Sequence, residues 1–410
     1  MEGFRRRLVL FSLLWGPGLI VMLADTDAGS LITAAQSGAQ WGYHMVLPQI
    51  VLMPILYFIQ EITVRLGIVT SEGHGALIRT YFGRGWAYLS GSTLLLSAIG
   101  ALITEFSGVA GVGALLGIPP WISVSAAAGV LILIGLSGSY ARVERIGILF
   151  GLLELVYLGL ALGVHPYPHH AMVALLNLPW TNSGYLMLLA ANVGAVIMPW
   201  MIFYQQGAVI DKGLHHYPAS SLRHARKDTA VGAVITQTVM LAMVVLVAAT
   251  VGQTHPNAPL NTVQQIAQAL IPFLGGTLGR LVFGLGMIGA SMVAALVVSV
   301  AGAWGMGEVF GFSHSLNDSV RQSPLFYSLY TAAHVIGVFL VLFSRNLVTL
   351  TVDVEIMNAM LLPLVLGFLL VLEARVLPPQ WRMHGVYRYL VWSLSALVIG
   401  FGLFTIVTSI

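Results

Sequence analysis

Carboxylate side chains stand inside stretches of this sequence that are otherwise apolar. Asp25 and Asp27 lie in the first such stretch, Glu105 lies in the third and Glu355 in the tenth. A carboxylate at the centre of a lipid bilayer costs at least about 2.5 kcal/mol, so it needs a partner, water, a proton or a cation. No Lys lies deep in these stretches, and Arg65 stands near an end. Acids therefore outnumber bases, which predicts a buried cavity that attracts cations.

Three further acids fall within apolar stretches. Glu61 precedes Arg65 by four residues, a spacing that favours an ion pair along one helix. Glu154 stands alone in the fifth stretch, where a structural hydrogen bond and a gating role both remain open. Asp353 lies two residues before Glu355 and adds to the acidic excess.

A methionine in the sixth stretch adds a soft donor to these hard acids. Met198 belongs to the run Gly194-Ala195-Val196-Ile197-Met198-Pro199, which would free backbone carbonyls if the helix is interrupted there. A thioether beside carbonyls and a carboxylate favours Mn²⁺ or Fe²⁺ over Ca²⁺ and Mg²⁺. The alternative is that Met198 only fills apolar space, which is the ordinary use of methionine.

Two stretches carry sequences that interrupt a helix. The first holds Gly16-Pro17-Gly18 and then Asp27-Ala28-Gly29-Ser30, and the sixth holds the run 194–199. Unwound segments expose backbone carbonyls and the charged ends of helix dipoles. Interruptions at matching positions of two inverted halves predict a secondary transporter with its site at the membrane midplane. Either interruption alone is also compatible with a simple kink, because Gly and Pro are tolerated in membrane helices.

The composition places all these residues in a polytopic membrane protein. Of the 410 residues, 58% are hydrophobic and 8% are charged, against roughly 25% charged residues in soluble domains. A run of about 20 apolar residues is long enough to cross the hydrocarbon core. We predict an all-α protein of about eleven transmembrane helices over residues 10–37, 42–69, 88–115, 121–138, 146–165, 184–209, 229–251, 278–308, 325–345, 353–373 and 386–409.

The distribution of Lys and Arg predicts how the chain crosses the membrane. Every second loop is basic, whereas no Lys or Arg occurs in the loops 38–43, 116–120, 166–183, 252–277 and 346–352. Basic loops stay in the cytoplasm, so we expect a cytoplasmic N-terminus and an extracytoplasmic C-terminus. The short loops indicate a prokaryotic cell membrane. Arg5–Arg7 precede a retained first helix rather than a cleaved signal peptide, because no small-residue cleavage site follows.

Several functional classes are excluded or disfavoured. The chain has no Cys, which rules out disulfides, thiolate ligands and thiol catalysis. It shows no catalytic Ser/His/Asp spacing, no HExxH and no phosphate-binding loop, so we expect neither an enzyme nor a cofactor. The His residues lie mostly in loops. The loops are too short for a receptor or scaffold, and the expected partners are the lipid bilayer and a transported ion, with no nucleic acid and no obligate protein.

The motifs at both interruptions resemble those of the NRAMP family of divalent metal ion transporters. The resemblance rests on the motifs at 16–18, 27–30 and 194–199, and on Gly38-Ala39-Gln40-Trp41-Gly42-Tyr43 with Arg65-Leu66-Gly67-Ile68-Val69-Thr70. It extends over nearly the whole chain in the number and order of helices. It implies a LeuT-like fold in one transporter domain, 1–410, with inverted repeats at approximately 10–165 and 184–373 and a terminal helix at 386–409.

The resemblance also implies a set of metal ligands. The family's first-helix motif Asp-Pro-Gly-Asn binds metal through its Asp and Asn, whose positions here hold Asp27 and Ser30. The family's sixth helix supplies a backbone carbonyl and a methionine sulfur, at the positions of Ala195 and Met198. A tenth-helix glutamine of the family falls on Glu355, which would add negative charge. Because Ser is shorter than Asn, the site is expected to be larger and to admit a more hydrated ion.

Other differences from the family concern protons. Trp200 replaces a family His, and the acid pair of the third helix is reduced to Glu105 followed by Gly108. Ordinary proton coupling is therefore not expected, and Asp25, Glu105 and Trp200 are assigned to coupling or to support of the ligands. These losses resemble a distant prokaryotic NRAMP-related branch associated with Mg²⁺, whereas Met198 favours Mn²⁺. We expect Mn²⁺ transport by alternating access, with Mg²⁺ as second candidate; the alternative is a Na⁺-coupled transporter of an amino acid or other small organic solute.

Overall fold

The computed structural model describes residues 16–164, 168–254, 260, 262–274, 276–344 and 346–409. Regular secondary structure in these residues is entirely helical, which confirms the predicted fold class. Arg5–Arg7 lie outside the described residues. The helices are α1 (Pro17–Asp25), α2 (Ala28–Trp41), α3 (Val46–Thr70), α4 (His74–Phe82), α5 (Arg84–Leu115), α6 (Pro120–Gly135), α7 (Tyr140–Gly151), α8 (Val156–Leu162), α9 (Pro168–Leu176), α10 (Ser183–Val196), α11 (Pro199–Asp211), α12 (Pro218–Ala249), α13 (Val251–Thr254), α14 (Val263–Leu274), α15 (Gly276–Phe310), α16 (Pro324–Phe343), α17 (Leu347–Val376) and α18 (Gly385–Ser409).

Nine helical segments of the described residues are long and apolar enough to cross a membrane. This number differs from the predicted eleven for two geometric reasons. α2 continues through one 3₁₀ turn, Gly42–Met45, into α3, so two crossings form one segment. α6 has 16 residues and falls just short of the length required. When these crossings are counted separately, each of the eleven predicted ranges overlaps a helix in the described part of the chain.

Several helices extend beyond their predicted ranges, because the chain stays helical past the apolar run. α12 begins at Pro218 instead of near residue 229, and proline suits the first position of a helix. α17 begins at Leu347 instead of near residue 353. No apolar run of membrane length marks α4, α9 and α14, so the sequence patterns do not predict these helices.

Both predicted interruptions are present. α1 ends at Asp25, and Asp27 caps the start of α2 in an extended backbone conformation. α10 ends at Val196, and Met198 is extended just before α11. α10 packs against α2. The two interruptions therefore face each other inside the bundle.

α15 runs through the centre of the bundle and packs along α5. Small residues permit this close approach, as is usual between membrane helices. A Cβ on Gly305 would clash with Leu94 Cδ2, and a Cβ on Gly108 would stand 2.5 Å from Ser291 Oγ. This packing holds α5, which carries Glu105, beside the first interruption.

The predicted ion pair between Glu61 and Arg65 is confirmed and belongs to a larger cluster. Both side chains are almost fully buried. Arg226 Nε lies 2.7 Å from Glu61 Oε1, and Arg65 Nη1 lies 3.6 Å from Glu373 Oε1. The Tyr387 hydroxyl donates to Glu61 Oε2 at 2.9 Å. These five residues, the ion-pair cluster, join α3, α12, α17 and α18 at one end of the bundle.

Candidate metal site

Asp27 occupies the first interruption, and one of its carboxylate oxygens has no hydrogen-bond donor. Its Oδ1 accepts from Ser30 N at 2.6 Å, the usual contact of a helix N-cap. Its Oδ2 has no hydrogen-bond partner, although the residue is fully buried. None of the ion pairs among the described residues involves Asp27. A buried carboxylate oxygen without a donor is unfavourable alone and is the arrangement expected of a cation ligand.

The hydroxyl of Ser30 bridges the two interruptions. It donates to the Ala195 carbonyl oxygen at 2.9 Å. This carbonyl has lost its regular helical partner, because the residue four positions later is Pro199, which has no N–H. Both Ser30 and Ala195 are fully buried. The structure thus brings together Asp27, Ser30 and Ala195.

Met198 lies in the second interruption with an extended backbone, φ −97° and ψ 138°. The side chain is fully buried, and its Sδ accepts a hydrogen bond from Trp200 Nε1 at 3.1 Å. A thioether is a weak acceptor, and one such bond leaves electron density on the sulfur for another partner. The Trp200 indole therefore fixes the direction in which the sulfur points.

Glu355 of α17 approaches the first interruption over Gly29. A Cβ on Gly29 would clash with Glu355 Oε1 and would stand 3.3 Å from Asp27 Oδ1, so the absence of a side chain lets both carboxylates approach. Glu355 Oε1 has no hydrogen-bond partner, whereas Oε2 accepts from Asn358 Nδ2 at 3.0 Å. A second carboxylate with an unpartnered oxygen therefore lies beside Asp27.

Two polar residues that no sequence motif identifies, Thr104 and Asn358, also lie beside the candidate ligands. Thr104 Oγ1 would lie 3.2 Å from a Cβ on Gly29, and it donates to Glu105 Oε1 at 3.0 Å. Asn358 holds the second oxygen of Glu355. The sequence could have indicated them only through their spacing: Thr104 directly precedes Glu105, and Asn358 follows Glu355 by one helical turn.

Glu105 contacts the start of α2 directly. Its Oε2 accepts from Ala28 N at 3.2 Å, one of the N–H groups that lack a partner in the first turn of a helix. Glu105 thus stands directly behind the candidate ligands.

Asp25 and Glu154 are buried acids whose four carboxylate oxygens have no hydrogen-bond partner among the described residues. Asp25 ends α1 just before the interruption. Glu154 lies in the 3₁₀ turn Leu152–Leu155 between α7 and α8. The structural hydrogen bond considered for Glu154 is therefore not found in the described part of the chain.

The candidate ligands are not a cluster of acidic side chains alone. Among the residues that the structure describes, no group of three or more His, Asp or Glu side chains could hold a metal ion. The candidate set depends instead on two carboxylates together with a hydroxyl, a carbonyl and a thioether. Asp27, Ser30, Ala195 and Met198 are each 0% exposed, so the structure is closed around them.

Comparisons with known proteins point to one family. The family model described as "Natural resistance-associated macrophage protein-like" matches residues 18–408. The "Divalent metal cation transporter MntH" of Verminephrobacter eiseniae is 26% identical over 314 residues, which cover 74% of this chain and 70% of that protein. The protein of the same name from Aeromonas hydrophila is 24% identical over 410 residues, covering 97% and 96%.

Solved structures show the fold that this chain shares. A manganese transporter of Eremococcus coleocola, in complex with an aromatic bis-isothiourea compound, superposes with a TM-score of 0.77 at 17% identity, over 99% of this chain and 88% of that one. A Na⁺-coupled sialic acid symporter superposes with a TM-score of 0.64 at 13% identity, over 95% and 88%. At these identities the likeness is one of fold, and it confirms the predicted LeuT-like architecture.

Proposed function

Because the chain belongs to the Nramp family, whose model spans residues 18–408, we propose that it is a secondary transporter of divalent metal cations with Mn²⁺ as the favoured substrate. The observation that carries the proposal is the Ser30 hydroxyl, which joins the Ala195 carbonyl of one interruption to the Asp27 turn of the other. The curated relatives are named divalent metal cation transporters. The proposed ligands are Asp27, Ser30, Ala195, Met198 and Glu355.

Binding would add ion contacts where the closed structure has one hydrogen bond. Ser30 Oγ and Ala195 O already lie 2.9 Å apart, so one ion could contact both. Each of these oxygens keeps a lone pair that the hydrogen bond does not use. Asp27 Oδ2 has no competing donor. The two interruptions therefore need little rearrangement to share one cation.

The charges of the site match a divalent cation. Asp27 and Glu355 each present an oxygen without a donor, and no ion pair among the described residues includes either. Two ionised carboxylates neutralise an ion of charge +2. A monovalent ion would leave a net negative charge buried, which is strongly unfavourable.

Met198 favours Mn²⁺ over Mg²⁺, because Mg²⁺ takes oxygen ligands and gives up water reluctantly. The Trp200 N–H holds the sulfur in one orientation, which supports a ligand role over mere apolar packing. Mg²⁺ is the second candidate, because Asp27, Ser30 and Glu355 are oxygen donors and the shorter side chain of Ser30, where the family has Asn, is expected to admit a more hydrated ion.

Alternating access is assigned to movement of α1. This helix has nine residues and is separated from α2 by the interruption. Asp228 of α12 accepts from Gly18 N at 2.8 Å near its start, and Thr236 Oγ1 donates to Met22 O near its end. Loss of these few polar contacts would let α1 move as a unit and open the site to the cytoplasm, the side that the Lys and Arg distribution predicts for the N-terminus.

Stoichiometric proton coupling is not part of the proposal. Trp200 cannot titrate at the position where the resemblance implies a His. A Cβ on Gly108 would stand 2.5 Å from Ser291 Oγ and 2.6 Å from Ala28 Cβ, so a second acid of α5 has no space there. A pH-sensitive dye inside proteoliposomes tests this point. Acidification of the proteoliposome interior in a fixed ratio to Mn²⁺ uptake would show that protons are coupled and would overturn this part of the proposal.

Mn²⁺ uptake into proteoliposomes tests the site. Asp27→Ala should abolish uptake while the protein stays monodisperse in detergent, because the cation loses an anionic ligand. Asp353→Ala is the matched control: it removes an exposed acid of α17 and should leave uptake unchanged. Normal uptake by Asp27→Ala would refute the assignment. Uptake of a small organic solute that requires Na⁺ and does not depend on Mn²⁺ would favour the Na⁺-coupled alternative.

A further inference from the structure

A second set of buried polar side chains lies one to two helical turns from the candidate metal site. On α2, Ser30, Thr33 and Ser37 recur at spacings of three and four residues, so they share one face. On α10, Asn192 precedes Ala195 by three residues. α2 runs away from its interruption and α10 runs toward its own. Both polar faces therefore lead from the candidate metal site toward the same membrane surface.

Hydrogen bonds join this set to α3. Gln49 Nε2 donates to Asn192 Oδ1 at 2.5 Å, and Asn192 Nδ2 donates to Ser37 Oγ at 2.7 Å. Ser37 Oγ donates in turn to the carbonyl oxygen of Thr33 at 2.7 Å. All four side chains are fully buried. We call Thr33, Ser37, Gln49 and Asn192 the neutral cluster.

The neutral cluster contains spare oxygens. Gln49 Oε1 and Thr33 Oγ1 have no hydrogen-bond partner. Buried polar atoms in native proteins are almost always paired, so an unpaired one needs an explanation. Both atoms are able to donate a lone pair, and no member of the cluster is charged. Uncharged amide and hydroxyl oxygens are ligands that hard divalent cations accept.

A purely structural network would join α2, α3 and α10 equally well. The continuity of the cluster with the candidate ligands favours ion passage. Three residues of helix span about 4.5 Å, so Thr33 and Asn192 each lie one short step from Ser30 and Ala195. An ion can cover that step without returning to bulk water.

Aromatic rings lie at the far end of this route. The Trp41 and Tyr185 rings meet edge-on with centroids 5.3 Å apart, and Trp180 packs against Tyr185 at 6.1 Å. The Tyr185 hydroxyl donates to His44 O at 3.2 Å. Trp41 ends α2, and Tyr185 lies in the first turn of α10. The rings therefore lie between the neutral cluster and the membrane surface.

We infer that the neutral cluster is a transit site for the transported divalent cation, a step before the candidate metal site. The inference rests on the proposed function. When the aromatic rings separate, the oxygens of Gln49, Asn192, Thr33 and Ser37 replace part of the hydration shell of the ion. The lack of charge keeps this binding weak. An ion site on a conduction route must be favourable enough to fill and weak enough to empty.

Two substitutions of Gln49 test the inference in the full-length protein. Gln49→Leu removes the amide, whereas Gln49→Glu keeps its size and adds a charge. Electron paramagnetic resonance counts bound Mn²⁺ in detergent, and proteoliposome uptake gives kcat/KM. Gln49→Leu should lower kcat/KM about tenfold while the Kd of the Asp27 site stays unchanged. Gln49→Glu should bind a second Mn²⁺ per protein and lower kcat, because the ion then leaves the cluster slowly.

Thr63→Val is the matched control. Thr63 is a fully buried residue of the same helix, α3, and its hydroxyl donates to Ile59 O of that helix at 2.9 Å. This variant should change neither the number of bound ions nor kcat/KM. A loss as large as that of Gln49→Leu would show that any buried polar change in α3 has this effect and would overturn the inference.

Asp27→Ala separates this inference from the proposed function. If Asp27→Ala transports Mn²⁺ normally, the proposed function fails. If Asp27→Ala is inactive but both Gln49 variants keep normal kcat/KM and stoichiometry, the neutral cluster is only structural and the inference fails. Should Gln49→Leu not fold, Thr33→Val makes the same test by removing one unpartnered oxygen. A lowered kcat/KM then supports the transit site, and an unchanged value overturns it.

Discussion

The two ends of the bundle join their helices with different chemistry. The ion-pair cluster connects α3, α12, α17 and α18 through charged side chains. The neutral cluster connects α2, α3 and α10 through amides and hydroxyls. Lys and Arg gather at the cytoplasmic side of membrane proteins. An acid near them gains a structural partner, whereas an acid far from them stays available for an ion.

Glu61 and Asp27 make this difference concrete. Both are carboxylates of membrane-spanning segments, and both are buried. Glu61 contacts Arg65, Arg226 and the Tyr387 hydroxyl. Asp27 accepts one backbone N–H and keeps an oxygen without a donor. The donors around a membrane carboxylate, and not its burial, therefore separate a structural acid from a candidate ion ligand.

The largest expected effect comes from Asp27→Asn, which keeps the shape of the side chain and removes its charge. We expect Mn²⁺ uptake to fall about a hundredfold or more, because a charge-assisted contact to the ion is lost. The thermal unfolding temperature in detergent should stay the same or rise, since a buried charge without a basic partner disappears. Initial uptake rates and unfolding curves measure both. A Mn²⁺ uptake rate within tenfold of that of the unsubstituted protein would show that Asp27 does not differ from Glu61 as described.

Glu61→Gln should show the opposite pattern. It leaves Arg65, which is 2% exposed, short of its main partner. Removing one member of a buried ion pair destabilises a protein on the order of 3 kcal/mol. Chemical unfolding in detergent should detect this loss, whereas Mn²⁺ affinity should not change. A normal stability with weakened Mn²⁺ binding would mean that the two acids do not differ as described.

Met198→Ala sharpens the metal preference. The Mn²⁺ affinity should fall about tenfold relative to that for Mg²⁺, because the soft ligand is lost and the oxygen ligands remain. Competition between the two ions for binding in detergent measures the ratio. Equal losses for both ions would assign Met198 to packing.

Trp200→Phe should have the smallest effect. It keeps an aromatic ring and removes the N–H that donates to Met198 Sδ. A single hydrogen bond contributes roughly 1 kcal/mol, so Mn²⁺ affinity should fall about fivefold. The same substitution in a Met198→Ala background should then have no further effect. A further loss there would show that Trp200 acts independently of the sulfur.

Local sequence patterns predict the membrane-crossing helices and both interruptions. Apolar runs mark the crossings, and Gly and Pro mark both interruptions. Asp27 stands out as an acid at the first interruption and Met198 as a soft donor at the second, whereas the roles of Ser30 and Ala195 as ligands are implied by the family resemblance. The placement of Glu355 beside Asp27 follows from the family resemblance and not from spacing.

Contacts between distant parts of the chain determine the positions of the polar residues that local sequence patterns do not identify. Thr104 and Asn358 approach the site from α5 and α17, far from Asp27 in the chain. The pairing of Gln49 with Asn192 joins residues that are 143 positions apart. Such ordinary polar residues recur throughout the chain, and only the packing of distant helices decides which of them meet.

Pro199 has a consequence for the way this molecule tolerates mutation. The oxygen offered by residue 195 belongs to the backbone, so any small side chain at that position preserves it. Pro199 helps to keep it available, because proline carries no N–H that could bond to the same oxygen. Position 199 therefore supports the chemistry offered at position 195, and a comparison of side chains at position 195 alone would overlook it.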